Sequence, residues 1–301
     1  MRIAAFYSDS PFAGWVQAEG FCDVLKRMGH DVVSIGVPPV SKISKGDAAK
    51  INKPIASCDL AIVSGPEHLR KWIEAFYPNW KELTMPKVAW YHESFVREDY
   101  KLNYSDYEGM FDFHFFPDRD DAEKYKGDFL PLGVDTEIFK PAPVVERDIP
   151  VAFIGLMYPK RARFVEELKP HLGGTDLQLR CAIQSEKGII PSISVFDFDG
   201  LNVRKSMHLL AETYRRIKVF VTFPSVSNVL VAKVLESMAC GCALVAPPQP
   251  VDLQYFKYEG AYQCAQMIRK ALERPVVSYP HGHEMENRFD QIFQKVGVCV
   301  S

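Results

Sequence analysis

The sequence predicts an α/β protein with two Rossmann-like domains, each built on a parallel β-sheet. Residues 219–246 run as an apolar strand, a polar loop, a helix, a glycine turn and a second apolar strand, which is the pattern of one crossover unit. A strand–helix–strand pattern also opens the chain, and a new strand at 149–154 follows a proline-rich linker at 141–143. The length of 301 residues suits two domains of ordinary size.

The first half alternates short apolar runs with amphipathic stretches. Residues 15–28 have helical spacing and end at Gly29, whereas the first loop, 8–14, contains Ser, Asp, Pro and Gly. Each further apolar run is short enough for one buried strand. The strands predicted in this half cover residues 2–7, 31–37, 57–64, 87–91 and 111–116, and further helices are predicted over 67–76 and 118–125.

Two loops of this half carry polar candidates for a substrate site. His92 and Glu93 directly follow the predicted strand 87–91, and groups just past the carboxyl end of such a strand face the ligand crevice of an open α/β sheet. Asp9 and Gly14 lie in the first loop, where Gly14 lets a phosphate or an acceptor approach the backbone. For each of these residues a purely structural role is the alternative interpretation.

Basic residues follow the first predicted strand of the second domain. The strand and Gly155 lead into a polar stretch, 157–163, before a helix predicted over 164–172. Lys160 and Arg161 are therefore predicted near a helix N-terminus, where they suit a diphosphate. A solvated basic helix start is the alternative interpretation. Further strands are predicted at 177–183 and 195–198, and a helix at 207–216.

The polar loop after strand 219–223 is the main candidate for anion binding. Free backbone N–H groups at the start of the following helix, 231–238, suit a phosphate group. Gly241 suits the left-handed residue that ends many helices, and strand 243–246 follows it. The loop residues predicted to bind are Ser225, Ser227, Asn228 and Val229.

This loop and helix resemble the donor-site signature of glycosyltransferases with the GT-B fold, especially family 4 and its spore-maturation-type relatives. The matching residues are Pro224, Ser225, Glu236, Ser237, Met238, Ala239, Cys240 and Gly241. The family pattern has a second, earlier Glu at the position that Asn228 holds here. A second stretch is similar to the interdomain hinge of family 4, through Pro131, Gly133, Val134, Asp135, Phe139 and Pro141.

The resemblance implies a GT-B arrangement, in which two Rossmann-like domains face each other across a cleft. The N-terminal domain, 1–143, would bind the acceptor, and the C-terminal domain, 144–280, would bind the sugar donor. The remaining helix, 281–301, would pack back towards the N-terminal domain. These boundaries follow the hinge motif and the linker after it.

The resemblance also implies the chemistry: transfer of a sugar from a nucleotide-diphosphate sugar, with a UDP-sugar as the favoured donor and no further cofactor. Glu236 would accept hydrogen bonds from the ribose hydroxyls, since a carboxylate offers two oxygens to a cis diol; an exposed helical Glu is the alternative. Arg161, Lys160 and Lys233 would neutralise the diphosphate without a metal ion. The loop around Leu201 would seat the nucleobase.

The remaining roles concern the transferred sugar and leave alternatives open. In the resembling enzymes a His at the position of His92 contacts this sugar, and Glu93 or Asp9 is an alternative general base for an inverting reaction. Asn228 can hydrogen-bond hydroxyls but carries no negative charge. This departure favours one alternative function, a nucleotide-sugar binding protein that has lost turnover. A sugar-nucleotide epimerase on the same fold is a second alternative, and it would need acid/base carboxylates in the site.

Composition and charge limit the partners only coarsely. The formal net charge is −2, with 17 basic and 22 acidic residues in 1–145, which disfavours a polyanionic acceptor there. A saccharide, a small molecule, a protein and a modified nucleic-acid base all remain open as acceptors, as does the oligomeric state. No apolar run reaches the ~20 residues of a membrane span. Seven cysteines without a CxxC pair favour the cytoplasm and disfavour zinc.

Other short patterns are interpreted as structural. Asp118–Asp120 and Asp197–Asp199 both have the Asp-x-Asp spacing that holds a metal ion in another glycosyltransferase fold, but neither lies in a suitable place here. His281 and His283 supply two ligands without a third. No metal site is therefore predicted.

Overall fold

The computed structural model describes residues 1–8, 19–37, 53–96, 102–142, 146–157, 159–173, 177–185, 188–191, 207–225 and 229–298. The chain divides into two compact units. The first contains Met1–Asp135, a short stretch that ends at Leu230, and the C-terminal part from His283. The second contains Thr136–Val226 and Val231–Gly282. Each unit has its own sheet and its own apolar core.

The described strands of the first unit form a six-stranded parallel sheet in the order β2-β1-β3-β4-β5-β6. The central strands β3 and β4 are buried along their whole length and are mostly apolar, as a sheet covered on both faces requires. Its elements are β1 (Arg2–Ser8), α1 (Glu19–Arg27), β2 (Asp31–Val37), β3 (Leu60–Ser64), α2 (Pro66–Phe76), β4 (Lys87–Trp90), β5 (Phe113–Phe116), α3 (Arg119–Lys124) and β6 (Asp128–Phe129).

The described strands of the second unit form a sheet in the order β12-β11-β10-β7-β8-β9, in which only β9 is antiparallel. None of the helices in the described ranges is long and apolar enough to span a lipid bilayer. The elements are β7 (Ile149–Met157), α4 (Pro159–Leu168), β8 (Leu177–Ser185), β9 (Gly188–Pro191), α5 (Met207–Arg216), β10 (Ile217–Val221), α6 (Ala232–Ala239), β11 (Ala243–Ala246), β12 (Phe256–Lys257) and α7 (Ala261–Glu273).

The last helix, α8 (Met285–Val296), belongs to the first unit. Its buried aromatic face packs on α1 and on the end of β4: the ring centroid of Phe289 lies 6.1 Å from that of Phe21 and 6.0 Å from that of Trp90. Phe293 meets His30 edge-on at 5.0 Å. The apolar stripe of this helix therefore completes the core of a unit that begins at residue 1.

The chain leaves and re-enters the first unit at neighbouring points. Val134 and Glu284 form a parallel β-bridge, with the Val134 N–H donating to the His283 carbonyl at 3.0 Å. Arg27 of α1 contacts both segments, through Asp135 at 2.7 Å and Glu286 at 3.3 Å. Local hydrogen bonds and ion pairs thus hold the two passages side by side.

The predicted elements agree with the structure where periodicity is clear. The strand 243–246 and the helix 207–216 have the predicted bounds, and Gly241 has φ +82°, which confirms the predicted left-handed cap after α6. The polar loop predicted over 157–163 is wrong, because β7 continues to Met157 and α4 already begins at Pro159. Proline suits the first helical position, so the basic residues join the first turn. The strand predicted at 195–198 lies outside the described residues.

Candidate functional site

The second sheet has a topological switch point between β7 and β10. The chain moves from β7 to β8 on one side and later returns to place β10 on the other side of β7. In open α/β sheets, ligands bind just outside the carboxyl ends of the strands at such a point. Lys160 and Arg161 follow β7, and Ser225 follows β10. Helix α6 begins shortly after Ser225 and carries Lys233 and Glu236, one helical turn apart.

Glu236 is a buried carboxylate with one unused oxygen. It is 2% exposed, so the alternative of an exposed helical Glu does not apply. Its Oε2 accepts a hydrogen bond from the Tyr214 hydroxyl at 3.2 Å, while Oε1 is buried and has no hydrogen-bond partner among the described residues. Burial raises the pKa of Glu236 to about 7, although the Tyr214 hydrogen bond and the Lys233 charge oppose this rise. An unsatisfied buried carboxylate oxygen is a ready acceptor for a hydroxyl donor.

Two buried cations lie beside the same aromatic ring. The Lys233 Nζ is 4.7 Å from the centroid of Phe153, and the Arg161 guanidinium carbon is 5.5 Å from it; the cations are 6% and 5% exposed. Burial lowers the pKa of Lys233 well below its ordinary value, the neighbouring Arg161 lowers it further, and Glu236 raises it. Such a pair of desolvated cations favours an anion in their vicinity.

Gly155 makes room for one of these cations. The Lys233 ammonium donates to the Ile154 carbonyl at 3.1 Å, and a Cβ added at Gly155 would lie only 2.2 Å from the Lys233 Nζ. Gly155 also has φ +154°, which an L side chain rarely adopts. This glycine, two residues before the end of β7, therefore lets the Lys233 ammonium group lie directly on the backbone.

Lys160 connects the first turn of α4 to the loop after β10. It is exposed, and its Nζ donates to the carbonyl of Ser225 at 3.4 Å. The structure thus brings together Lys160, Arg161, Ser225, Lys233 and Glu236 in the second unit. Val229 is half-buried before α6, and its role stays a prediction. Gly14, Leu201, Ser227 and Asn228, as well as Asp9, lie outside the described residues.

A second polar cluster lies at the carboxyl ends of β3 and β4 in the first unit, beside the switch point between β1 and β3. The Nε2 atom of His92 and the hydroxyl of Ser64, at the end of β3, are 2.9 Å apart. Removal from water lowers the pKa of His92 to about 3, and the charge of nearby His68 acts in the same direction. His92 is therefore a neutral imidazole near pH 7, suited to hydrogen bonding rather than to donating a proton as an imidazolium.

Two carboxylates that sequence reasoning missed hold the turn after β4. Glu67 Oε1 accepts the backbone N–H groups of His92 at 2.9 Å and Glu93 at 3.0 Å. Asp121 Oδ2 accepts the Ser94 hydroxyl at 2.7 Å and the Phe95 N–H at 2.8 Å. In sequence, each is only an acidic residue in the first turn of a helix, which the helix dipole already explains. Their partners are about 25 residues away, so no local pattern reveals the contact.

The environment of Glu67 resembles that of Glu236. Its second oxygen, Oε2, is buried without a hydrogen-bond partner in the described part of the chain. Burial raises the pKa of Glu67 to about 7, although its own N–H and those of His92 and Glu93 lower it. Glu93 itself is half-buried; a catalytic role of its carboxylate stays a prediction.

The first Asp-x-Asp pattern has a structural role. Asp118 Oδ1 accepts the N–H of Asp120 at 2.9 Å and so caps α3. The second pattern, at Asp197 and Asp199, lies outside the described residues. Among the residues that the structure describes, no three His, Cys, Asp or Glu side chains are grouped as a metal ion would require.

Comparison with known proteins finds similarity in structure but not in sequence. No protein-family model matches the chain, and no curated protein sequence matches it. HepE from Anabaena, solved with UDP and glucose, has a TM-score of 0.62 and 10% identity, and the match covers 99% of this chain and 100% of HepE.

Two DNA-related enzymes also match. An α-glucosyltransferase in complex with UDP and a 13-mer DNA has a TM-score of 0.61 and 14% identity, over 99% of this chain and 100% of that one. A DNA-modifying β-glucosyltransferase has a TM-score of 0.51 and 10% identity, over 99% and 95%. At these identities the similarity shows the fold alone: the chain is an α/β protein with the two Rossmann-like units of the GT-B class.

Proposed function

We propose that this protein is a glycosyltransferase that moves a sugar from a nucleotide-diphosphate sugar, preferably a UDP-sugar, to an acceptor. The observation that carries the proposal is the arrangement at the switch point between β7 and β10, in the sheet of the second unit. There, a buried carboxylate with a free oxygen, Glu236, lies on the same helix as the buried cation Lys233, with Arg161 nearby. A nucleoside diphosphate offers the complementary groups: hydroxyls on the ribose and negative charge on the phosphates.

Each group has a specific task in this proposal. Glu236 accepts a ribose hydroxyl through Oε1, while Tyr214 holds Oε2. Lys233 and Arg161 bind the diphosphate and stabilise the charge that develops on the leaving phosphate. Lys160, which is exposed, binds the same diphosphate from the surface side. The UDP in the structures of HepE and of the α-glucosyltransferase supports UDP as the first nucleotide to test.

Binding of nucleotides tests the proposal directly. Thermal shifts are measured with UDP, GDP, ADP, dTDP and CMP, and a ligand at 100 times its Kd adds about 2.7 kcal/mol of stability, or about 5–10 °C in Tm for a unit of this size. We expect a shift with UDP that Glu236→Ala abolishes. Release of UDP from UDP-glucose, measured with EDTA and with Mg²⁺, then tests turnover and the proposed independence of metal. No shift with any nucleotide refutes the proposal.

At a finer level, we propose that the donor loop follows the family 4 pattern with one change, at Asn228. An amide cannot stabilise a cationic, oxocarbenium-like transition state as a carboxylate does. This change favours one competing function, a nucleotide-sugar binding protein without turnover. Asn228→Glu and Asn228→Ala distinguish the two: binding of UDP-glucose without UDP release in all three proteins supports the binding protein, and release by the wild type supports the transferase.

The acceptor belongs to the first unit in this proposal, and its class is a matter for screening. Two enzymes with the same fold act on or bind DNA, whereas the acidic balance of residues 1–145 opposes general attraction to nucleic acid. A screen therefore compares saccharides, small alcohols, a peptide and a duplex whose bases carry a hydroxyl group. Radiolabelled sugar from UDP-glucose will appear in one class.

A further inference from the structure

The turn that carries His92 is fixed by side chains from two other elements. Glu67, at the start of α2, binds the N–H groups of His92 and Glu93 through one oxygen. Ser64, at the end of β3, binds the imidazole of His92 through Nε2. Backbone and ring of this histidine are therefore held at once, and both holders come from the segment Ser64–Glu67.

These contacts leave one ring nitrogen of His92 for a substrate. Among the described residues, Nδ1 makes no hydrogen bond. The residue beside it is Gly65, and a Cβ added there would lie 3.3 Å from Nδ1 and 3.6 Å from Cε1. Gly65 also has φ +73°, a conformation that favours glycine. A larger residue would thus crowd the nitrogen that Ser64 leaves unoccupied.

We propose that Glu67 is a positioning residue, which holds the His92–Glu93 turn so that Nδ1 of His92 can hydrogen-bond the sugar being transferred. This inference rests on the proposed function. Glu67 itself contacts backbone and not substrate, so it acts through His92. Displacement of a catalytic group by about 1 Å can cost on the order of 100-fold in rate, and loss of both anchoring hydrogen bonds would permit such a displacement.

Asp121 provides a matched control. It is also a buried carboxylate, it accepts hydrogen bonds from the same turn, and its partners are the next two residues, Ser94 and Phe95. UDP release from UDP-glucose is measured for the wild type, Glu67→Ala, Glu67→Gln and Asp121→Ala. We expect Glu67→Ala to lower kcat by about 10- to 100-fold. The KM for UDP-glucose should stay within about twofold, because the groups proposed to bind the nucleoside diphosphate belong to the second unit.

The other two variants test the reason for that loss. Glu67→Gln keeps an oxygen that can accept both N–H groups, so its kcat is expected to return to within about fivefold of the wild type. Asp121→Ala is expected to lower Tm while its kcat stays within about threefold. Amide hydrogen exchange supplies an independent readout: Glu67→Ala should expose the His92 and Glu93 amides to exchange, and Asp121→Ala the Phe95 amide.

The outcomes separate this inference from the proposed function. If the wild type binds none of the nucleotides tested and releases no UDP from UDP-glucose, the proposed function fails and the role of Glu67 fails with it. If the wild type is active and Glu67→Ala has the same kcat, only the role of Glu67 is refuted. An equal loss of kcat in Asp121→Ala also overturns the positioning role of Glu67, because the effect would then come from a loosened turn. Failure of Glu67→Gln to restore kcat overturns it as well, because the effect would then come from the lost charge.

Discussion

Replacing Glu236 with Gln removes the ability to ionise from a carboxyl group that the fold keeps away from water. The side chain keeps its size and can still accept the Tyr214 hydrogen bond at one oxygen. The variant therefore isolates the cost of a buried charge in the protein without ligand. We expect that cost to appear as a difference in how the stability of the two proteins depends on pH.

The magnitude follows from the pKa of Glu236, which is about 7 in the folded protein against an ordinary 4.5. This difference of roughly 2.5 corresponds to about 3 kcal/mol. Between pH 4.5 and 7 the unfolded chain has lost a proton that the folded protein keeps, so the contribution of Glu236 to stability falls as pH rises through this window. It is level below the window, where both states are protonated, and level above it, where both are ionised.

Thermal unfolding from pH 4.5 to 8 measures this effect. Relative to the wild type, Glu236→Gln should gain about 3 kcal/mol across the window, or about 6–12 °C in Tm for the second unit. Glu212→Gln is the control, because Glu212 is exposed on the neighbouring helix α5 and its variant should follow the wild type. With UDP present at 100 times its Kd, the advantage of the Gln variant should shrink by up to about 2.7 kcal/mol, since this variant lacks the carboxylate that accepts the ribose hydroxyl.

Parallel Tm curves for the wild type and Glu236→Gln would refute the reasoning. They would mean that water or another group reaches the Oε1 atom of Glu236 in the folded protein. The acceptor role assigned to that oxygen would then lose its physical basis.

Three further substitutions have outcomes of known direction. Lys233→Met should weaken UDP binding by about 10-fold or more, since a hydrogen bond to a charged group contributes about 1.5–3 kcal/mol, and should not lower Tm without ligand; an unchanged Kd in calorimetry contradicts the diphosphate role. Gly155→Ala places a Cβ against the Lys233 ammonium at a positive φ, so it should cost about 1–3 kcal/mol and weaken UDP binding; wild-type values of Tm and Kd would show that the ammonium can move aside freely. Phe289→Ala removes a fully buried ring that packs on Phe21 and Trp90, so it should destabilise the first unit by about 3–5 kcal/mol while the second unit still binds UDP in calorimetry at low temperature; loss of that binding would contradict the independence of the two cores.

Sequence patterns predicted the fold well because strand and helix periods are local properties. The apolar runs of β3, β4 and β11 and the helical spacing around Val234 each identify an element without knowledge of the rest of the chain. Pro159 gave a clear signal for the start of a helix, which the basic residues after it obscured. The boundary predicted wrongly is the one at which two local signals disagreed: the proline indicated a helix start, and the basic residues indicated a loop.

The candidate site divides in the same way. Glu236 was found because it lies within a motif, but the sequence could not show that it is buried or that Tyr214 occupies one of its oxygens. Glu67 was missed because its role depends on a turn 25 residues away. Burial and long-range hydrogen bonds arise only once the strands lie side by side. Residues whose function depends on them therefore cannot be identified from a local sequence pattern.

The position of α8 has a consequence for biosynthesis. The first unit begins with residue 1, yet its core is closed by Phe289 and its neighbours on the last helix. A ribosome adds about 5–20 residues per second, so the stretch 136–282 takes on the order of 10–30 s to synthesise. During that time the second unit can finish folding, whereas the apolar surfaces of α1 and β4 stay uncovered because α8 has not yet been synthesised. The part of the first unit before residue 136 is thus made well before α8, and its apolar surface stays uncovered until α8 has left the ribosome.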